Sequence, residues 1–247
     1  QGLLIEEART NSIRNNTMVG AVVGTPGTLP TNWVTANLGT LTQTVVGTGA
    51  VNGINYIDVR FNGTTSTTQL SLRFEPNGTS AVAATNGQTW TGSLWCAIIS
   101  GSTTNITQVG QSGLLWDASN NFLGGGYQGA FIPTSTLTRY SASGTNSIAG
   151  TAFIQPQFYL VFNSGVPIDI TLRIGLPQLE LGAFATSVIP TTTAAVSRSA
   201  DVASVNTLSP WYNAAEGTLY GEFAMSGFAS ASTFPSTASL SDGTGSN

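Results

Sequence analysis

The sequence has 247 residues and a net charge of −4, and only 7% of its residues are charged. All seven basic residues are arginine, and there is no histidine. These values exclude a basic surface for nucleic acid, a histidine-based catalytic triad and a histidine-ligated metal site. The single cysteine, Cys96, excludes an intrachain disulfide, and no apolar run is long enough to predict membrane insertion.

Apolar and polar residues alternate with a period of two along most of the chain, which predicts β-strands. In chain order, the predicted strands cover residues 56–61, 70–75, 90–99, 158–162 and 168–174. Turn signals lie between them at Asn62-Gly63, Asn77-Gly78, Asn86-Gly87 and Asn163-Ser164-Gly165. Short strands with one apolar face predict an all-β fold, an antiparallel jelly-roll β-sandwich.

The predicted jelly roll covers residues 1–204. A Thr/Ala/Ser-rich, linker-like stretch occupies 186–200, and a new strand signal begins at Thr218. We therefore expect residues 205–247 to be the truncated start of a second β-sandwich. Gln1 is an unusual first residue, so we expect the chain to be a fragment.

Two passages resemble a domain of bacteriophage tail-fibre and other virion surface proteins. They are residues 2–11, and residues 177–201 with the segments PQLE, GAFATS, IPT and SRSAD. The resemblance implies a carbohydrate-binding-module-like jelly roll followed by a concanavalin A-like lectin/glucanase domain, whose first strands residues 216–223 and 239–244 resemble. It also implies a virion-surface location, a homotrimer, and other virion proteins and host-surface glycans as partners.

The acidic residues do not suggest catalysis. Asp58 and Glu75 could be neighbours on the polar faces of two strands, but each lies two residues from an arginine, Arg60 or Arg73. We expect ion pairs along each strand, which would lower the carboxylate pKa values, the wrong direction for a general acid. No Gly-x-Ser-x-Gly elbow or phosphate loop is present, and Gly124-Gly125-Gly126 is interpreted as a loop. The protein is therefore predicted not to be an enzyme.

Saccharides stack their C–H faces on aromatic rings and pair their hydroxyl groups with polar side chains. Outward strand parity selects Trp95 and Tyr159, and loop-like surroundings select Trp116 and Tyr127. With two arginines, the candidate glycan-binding residues are Trp95, Trp116, Tyr127, Tyr159, Arg60 and Arg73. Each could instead lie against another subunit or in the core of the second sheet. Trp33 and Trp90 are predicted to be core residues.

No cofactor is predicted, although the resemblance allows for a structural calcium ion held by oxygen ligands. Asn11, Asp169 and Glu180 lie on the first and last strands, where such a site would form. Cys96 has the parity of an apolar strand face, so we expect a buried thiol.

We predict a non-enzymatic phage virion surface or tail-fibre module that recognises host cell-surface glycans. The low charge favours an oligomer, because a weakly charged monomer tends to associate. Two alternatives remain open: a structural virion decoration or connector without sugar binding, and the non-catalytic part of a glycan-degrading tail enzyme.

Overall fold

The computed structural model describes residues 4–76 and 81–203, which form thirteen β-strands. None of these residues forms a helix long and apolar enough to cross a membrane. The strands are β1 (Arg9–Asn11), β2 (Val34–Ala36), β3 (Thr42–Val51), β4 (Ile54–Thr64), β5 (Gln69–Arg73), β6 (Val82–Ala83), β7 (Thr89–Gly101), β8 (Ile106–Trp116), β9 (Phe122–Phe131), β10 (Thr138–Thr145), β11 (Phe153–Phe162), β12 (Pro167–Leu181) and β13 (Val196–Arg198).

The strands form two main sheets that pack face to face. The five-stranded sheet has the order β10-β7-β12-β4-β3, and the six-stranded sheet has the order β2-β5-β11-β8-β9, with β6 also pairing with β11. A third, two-stranded sheet joins β1 to β13. The pairing is antiparallel throughout these sheets. The predicted all-β antiparallel jelly-roll sandwich is confirmed.

The inward-facing residues of the two sheets form one apolar core. Their alternation follows the predicted parity, so that Phe61 in β4 and Leu72 in β5 are both fully buried. Trp33 and Trp90 are core residues as predicted, with 5% and 4% of their surface exposed. Cys96 is also buried, and this burial raises the pKa of its thiol to about 12.

The predicted turns have mixed outcomes. Asn86-Gly87 and Asn163–Gly165 are turns in the structure, and Asn77-Gly78 lies outside the described residues. The turn predicted at Asn62-Gly63 is wrong, because β4 continues through it to Thr64. The tight hairpin between β3 and β4 turns instead at Asn52-Gly53, where φ is 51° and 78°. Positive φ at both positions is what a two-residue hairpin turn of the right twist requires.

The passages that carry the family resemblance contact each other. The Glu6 carboxylate accepts hydrogen bonds from the Ser187 amide at 2.8 Å and the Arg198 guanidinium at 2.6 Å. The buried Asn11 side chain donates to the Ile189 carbonyl at 3.0 Å. These bonds close the sandwich at the place where β1 meets β13. The predicted second unit, 205–247, lies outside the described residues.

Candidate functional site

The outer face of the six-stranded sheet carries a row of polar side chains. Leu72, Phe158 and their neighbours point into the core, so the residues between them point outward. The strand register places Gln157 opposite both Arg73 and Ser112, and Ser112 opposite Gln128. The row therefore crosses four adjacent strands, from β5 through β11 and β8 to β9.

A row of aromatic side chains crosses the same face near one end of the strands. Trp116 lies opposite Phe153 on one side and Phe122 on the other. The Trp116 and Phe122 ring centroids are 5.6 Å apart in an edge-to-face arrangement. Phe122 is 58% exposed and Trp116 is half-buried, so this pair presents apolar ring surface to solvent.

Tyr159 forms part of the floor between the strands rather than projecting from them. A Cβ atom placed at Gly110 would lie only 2.5 Å from the Tyr159 ring, so the ring lies over this glycine. The Tyr159 side chain is 3% exposed and its hydroxyl accepts a hydrogen bond from Gln128 Nε2 at 3.2 Å. The ring thereby occupies space that a larger residue at position 110 would fill.

Several polar atoms on this face are held in place but only partly satisfied. Gln157 Nε2 donates to Ser112 Oγ at 3.0 Å, and Gln155 Nε2 donates to the carbonyls of Glu75 and Pro76. Within the described part of the chain, the Oε1 atoms of both glutamines are buried without a hydrogen-bond partner, and so is Trp116 Nε1. Each such atom costs about 1–3 kcal/mol while it lacks a partner.

Arg73 lies at the β5 end of the polar row and also contacts the aromatic row. Its guanidinium carbon is 6.0 Å from the centroid of the Trp116 ring, a cation–π distance. Its Nε atom is buried without a partner. Desolvation by burial lowers the pKa of Arg73 from its ordinary value.

The structure brings together three of the six candidate glycan-binding residues. Trp116, Tyr159 and Arg73 share the outer face of the six-stranded sheet. Trp95 and Arg60 lie on the outer face of the five-stranded sheet instead. These two arrangements are on opposite sides of the molecule, so the candidate set does not form one site.

The prediction that Tyr127 contacts a ligand from a loop is wrong. The glycine-rich sequence around it forms strand β9, and Tyr127 points into the core with 2% of its surface exposed. Glycines on facing strands make room for its ring, since a Cβ atom at Gly92 would lie 2.4 Å from the ring and one at Gly113 2.8 Å from it. Burial raises the pKa of the Tyr127 hydroxyl far above its ordinary value.

The prediction of ion pairs along single strands is also wrong, because Asp58 and Glu75 pair with other arginines. Asp58 pairs across strands with Arg173 through two bonds of 2.8 Å, and Glu75 pairs with Arg14 at 2.6 Å. Directly opposite residues on neighbouring strands lie about 4.5–5.5 Å apart, whereas residues two apart on one strand are separated by roughly 6.6 Å. The shorter cross-strand distance explains the Asp58 pairing.

The three residues considered for calcium do not come together. Asp169 and Glu180 lie near opposite ends of β12, roughly 35 Å apart at about 3.3 Å per residue. The Glu180 carboxylate accepts hydrogen bonds from Thr186, while Asp169 is paired with Arg60 at 2.7 Å. Across residues 4–76 and 81–203, no cluster of three or more Asp, Glu, His or Cys side chains could hold a metal ion.

Sequence reasoning missed the other polar and aromatic side chains described on this face: Ser112, Phe122, Gln128, Phe153, Gln155 and Gln157. The alternation of Gln155 and Gln157 with Ile154 and Phe158 was a usable signal. The predicted strand began at residue 158, so both glutamines were left outside it.

One cavity of the described structure lies at a junction between elements and is not proposed as a second ligand site. Its volume is about 780 Å³, and it lies between the β1–β13 pair and the end of β12. Its charged groups bind each other, because Arg9 pairs with Glu7 and Arg198 pairs with Glu6. The outer face of the six-stranded sheet combines exposed aromatic surface with unpartnered polar atoms and is the stronger candidate.

No model of a known protein family and no curated protein matches the chain. Solved structures similar to its fold include the enzymatically active domain of bacteriophage CBA120 tailspike protein 4, with a TM-score of 0.37, 12% identity, and coverage of 62% of this chain and 20% of that chain. They also include the CBM22-1 xylan-binding domain from Paenibacillus barcinonensis Xyn10C, with a TM-score of 0.41, 13% identity, and coverage of 71% and 94%. The Stig cyclase Fisc from Fischerella sp. TAU has a TM-score of 0.49, 12% identity, and coverage of 72% and 100%. These likenesses concern the fold, so function is argued from this chain's own side chains.

Proposed function

We propose that this protein is a non-enzymatic carbohydrate-binding domain that holds a saccharide across the outer face of its six-stranded sheet. The observation that carries the proposal is the Trp116–Phe122 pair beside a row of glutamines whose acceptor atoms are buried without partners. Aromatic surface and fixed polar groups in one place match the two kinds of surface that a sugar presents.

In this proposal the aromatic row contacts the apolar face of a sugar ring and the polar row contacts its hydroxyl groups. A sugar ring stacks on Trp116 or Phe122, where apolar contact area is available. Its hydroxyl groups then lie towards Gln155 and Gln157, whose Oε1 atoms have no hydrogen-bond partner among the described residues. These side chains are 0% and 2% exposed, so contact with a ligand requires them to move outward from the sheet. Because the rows lie on adjacent parts of one sheet face, a chain of several sugars can contact both.

The composition of the face supports binding rather than glycoside hydrolysis. None of the six described strands of this sheet contains Asp or Glu. A glycosidase of the ordinary kind places two carboxyl groups about 5–10 Å apart around the bond that it cleaves. The face offers no such pair within its strands.

We also propose that the domain is part of a trimeric fibre on the surface of a phage virion, where it recognises host glycans. Support comes from the two terminal passages that resemble phage fibre domains, and from a charged fraction of only 7%. Light scattering of the full chain tests the trimer, since a monomeric mass at micromolar concentration would contradict it.

The test of sugar binding is affinity electrophoresis of the full chain through a panel of bacterial surface polysaccharides. We expect Trp116→Ala to weaken binding about tenfold or more, equal to about 1.4 kcal/mol. The matched control is Trp95→Ala, which removes a tryptophan from the outer face of the other sheet and should leave binding within about twofold.

Two outcomes would contradict the proposal. One is the absence of binding to every polysaccharide by a protein whose thermal unfolding is cooperative, which would favour a purely structural virion domain. The other is an equal loss of binding in Trp116→Ala and Trp95→Ala, which would remove the reason for assigning the site to the six-stranded sheet.

A further inference from the structure

Arg73 differs from every other arginine in having no polar partner among the residues that the structure describes. All seven arginines lie within the described residues, and five form ion pairs: Arg9 with Glu7, Arg14 with Glu75, Arg60 with Asp169, Arg173 with Asp58 and Arg198 with Glu6. Arg139 donates to the Thr186 carbonyl and to Ser93 Oγ. The interaction of Arg73 is of a different kind, a cation–π contact with the Trp116 ring.

The surroundings of Arg73 are neutral on every strand that flanks it. In the sheet its neighbours are Val34 on β2 and Gln157 on β11. The adjacent carboxylate along the chain, Glu75, is already engaged by the Arg14 backbone amide and by two guanidinium nitrogens of Arg14, at 2.6 to 2.9 Å. Among the described residues, neither the flanking strands nor Glu75 therefore supplies a carboxylate that pairs with Arg73, and desolvation is the cause that shifts its pKa.

The position of the guanidinium group is suited to an anion. Its Nε is buried and unpartnered, while its terminal nitrogens are neither hydrogen-bonded nor buried, so they reach solvent on the ligand side. A half-buried charge without a partner is costly, and an opposite charge from a ligand offsets that cost. The planar fork of arginine binds a carboxylate through two parallel hydrogen bonds.

Resting on the proposed function, we infer that the saccharide bound by this face is acidic, and that Arg73 binds its carboxylate while the sugar ring stacks on Trp116. The 6.0 Å between the guanidinium and the indole ring is compatible with both contacts within one sugar residue. An acidic saccharide is favoured over a free small anion because Trp116, Phe122 and the glutamines extend the site beyond the charge.

The experiment compares pairs of polymers that differ only in charge. The probes are hyaluronan, alginate and polygalacturonate, each beside the same polymer with its carboxyl groups reduced to alcohols. We expect at least one acid to bind the full chain about tenfold or more tightly than its reduced form, with affinity that falls as salt is raised. Dextran sulfate and dextran form a further pair, which separates a sulfate ester from a carboxylate.

Arg73→Gln should abolish the preference for the acid without abolishing binding to the reduced polymer. Arg60→Gln is the matched control, because it removes an arginine from the outer face of the other sheet and should keep the preference. Arg73→Lys, which keeps the charge but loses the fork, should retain part of it. Thermal unfolding of each variant verifies that it is folded.

The outcomes separate this inference from the proposed function. Equal binding of acid and reduced polymers, lost in Trp116→Ala, would overturn the acidic ligand and leave carbohydrate binding in place. Preference for dextran sulfate that Arg73→Gln removes would support the anion site with a sulfate ester as its group. A preference that survives in Arg73→Gln would overturn the role of Arg73. Failure of every probe to bind, by a protein that still binds a neutral polysaccharide of the bacterial panel, would overturn the acidic ligand alone, whereas failure of the panel as well would overturn both proposals.

Discussion

The two outer faces of the sandwich use the same kinds of side chain in opposite ways. On the five-stranded sheet, Arg173 donates two hydrogen bonds to Asp58 and lies 3.5 Å from the centroid of the Tyr56 ring. Its charge, its hydrogen bonds and its aromatic contact are all supplied by the chain itself. On the six-stranded sheet, Arg73 has the aromatic contact with Trp116, and no described carboxylate pairs with it.

The chain also covers part of the five-stranded face. Gln178 and Glu180 point outward but are 1% and 0% exposed, because the segment after β12 lies over them. Gln178 Oε1 accepts a hydrogen bond from the Ile189 amide at 2.8 Å, and Glu180 accepts one from the Thr186 amide. Here the polar groups of the sheet hold a segment of the same chain in place.

Among the described residues, the five-stranded face also has buried polar atoms without a hydrogen-bond partner. Trp95 Nε1 and Arg139 Nε are buried there without partners, although the other two guanidinium nitrogens of Arg139 are bonded. The difference between the faces therefore lies in charge and exposed ring surface rather than in a simple count of orphan atoms. On the six-stranded face Gln155 and Gln157 are themselves only 0% and 2% exposed, so the solvent-exposed part of this face is the ring surface of Phe122 and Trp116 beside Arg73.

The largest expected effect tests the paired face. Arg173→Gln leaves the Asp58 carboxylate, 6% exposed, without its partner, and we expect a loss of about 3 kcal/mol in the free energy of unfolding. The measurement is equilibrium urea denaturation followed by tryptophan fluorescence.

The control for this change is Arg73→Gln, which removes an arginine without orphaning a carboxylate. We expect its free energy of unfolding to stay within about 0.5 kcal/mol of the unchanged protein. Similar losses in Arg173→Gln and Arg73→Gln would erase the difference between the two faces on which the assignment of the site depends.

A smaller effect of opposite sign is expected on the outer face of the six-stranded sheet. Changing Gln157→Leu together with Ser112→Ala removes both members of a half-satisfied hydrogen-bonded pair. Replacing both partners by apolar groups is close to neutral or stabilising, so we expect a gain of up to about 1 kcal/mol in unfolding free energy. The same double variant should bind polysaccharide more weakly, because it loses the Gln157 amide.

Thermal unfolding and affinity electrophoresis of this double variant measure the two quantities side by side. A clear loss of stability would show that the Gln157–Ser112 pair serves the fold. Unchanged binding would show that the polar row is not part of the ligand site.

The alternation of residues was sufficient to predict an antiparallel sandwich and which residues point outward. It could not tell one outer face from the other, because Trp95 and Tyr159 have the same parity within their strands. The pairing of Asp58 with Arg173 depends on which strands become neighbours, and these residues are far apart in sequence. Such pairings are decided by the packing of the whole chain.

In two places the local sequence did not predict strands of the six-stranded sheet. Tyr127 follows three glycines that resemble a loop, yet the strand forms because facing glycines leave space for its ring. Pro156 lies inside β11, where a missing N–H would ordinarily interrupt a sheet. Its carbonyl accepts from the Phe74 amide, and the nitrogen of a strand residue points to the same side as its carbonyl. That side faces the interval between β5 and β6, so the strand continues. Gln155 and Gln157 therefore lie on the outer face of the six-stranded sheet.

The smallest expected effect concerns the segment that covers the five-stranded face. Burial alone would raise the pKa of Glu6, but hydrogen bonds from Ser187 and the ion pair with Arg198 outweigh it and lower the pKa below its ordinary 4.5. The ionised Glu6 therefore contributes stability above pH 4.5, and this contribution is lost as the pH falls through the lowered value.

We expect the drop in Tm between pH 7 and about pH 3.5 to be smaller in Glu6→Gln than in the unchanged protein. Asp169→Asn, which removes a solvent-exposed ion pair, should change that drop less. Polysaccharide binding by Glu6→Gln at pH 7 should be unchanged, since Glu6 lies at the terminal closure and not on the six-stranded face; weakened binding would mean that the two regions are coupled.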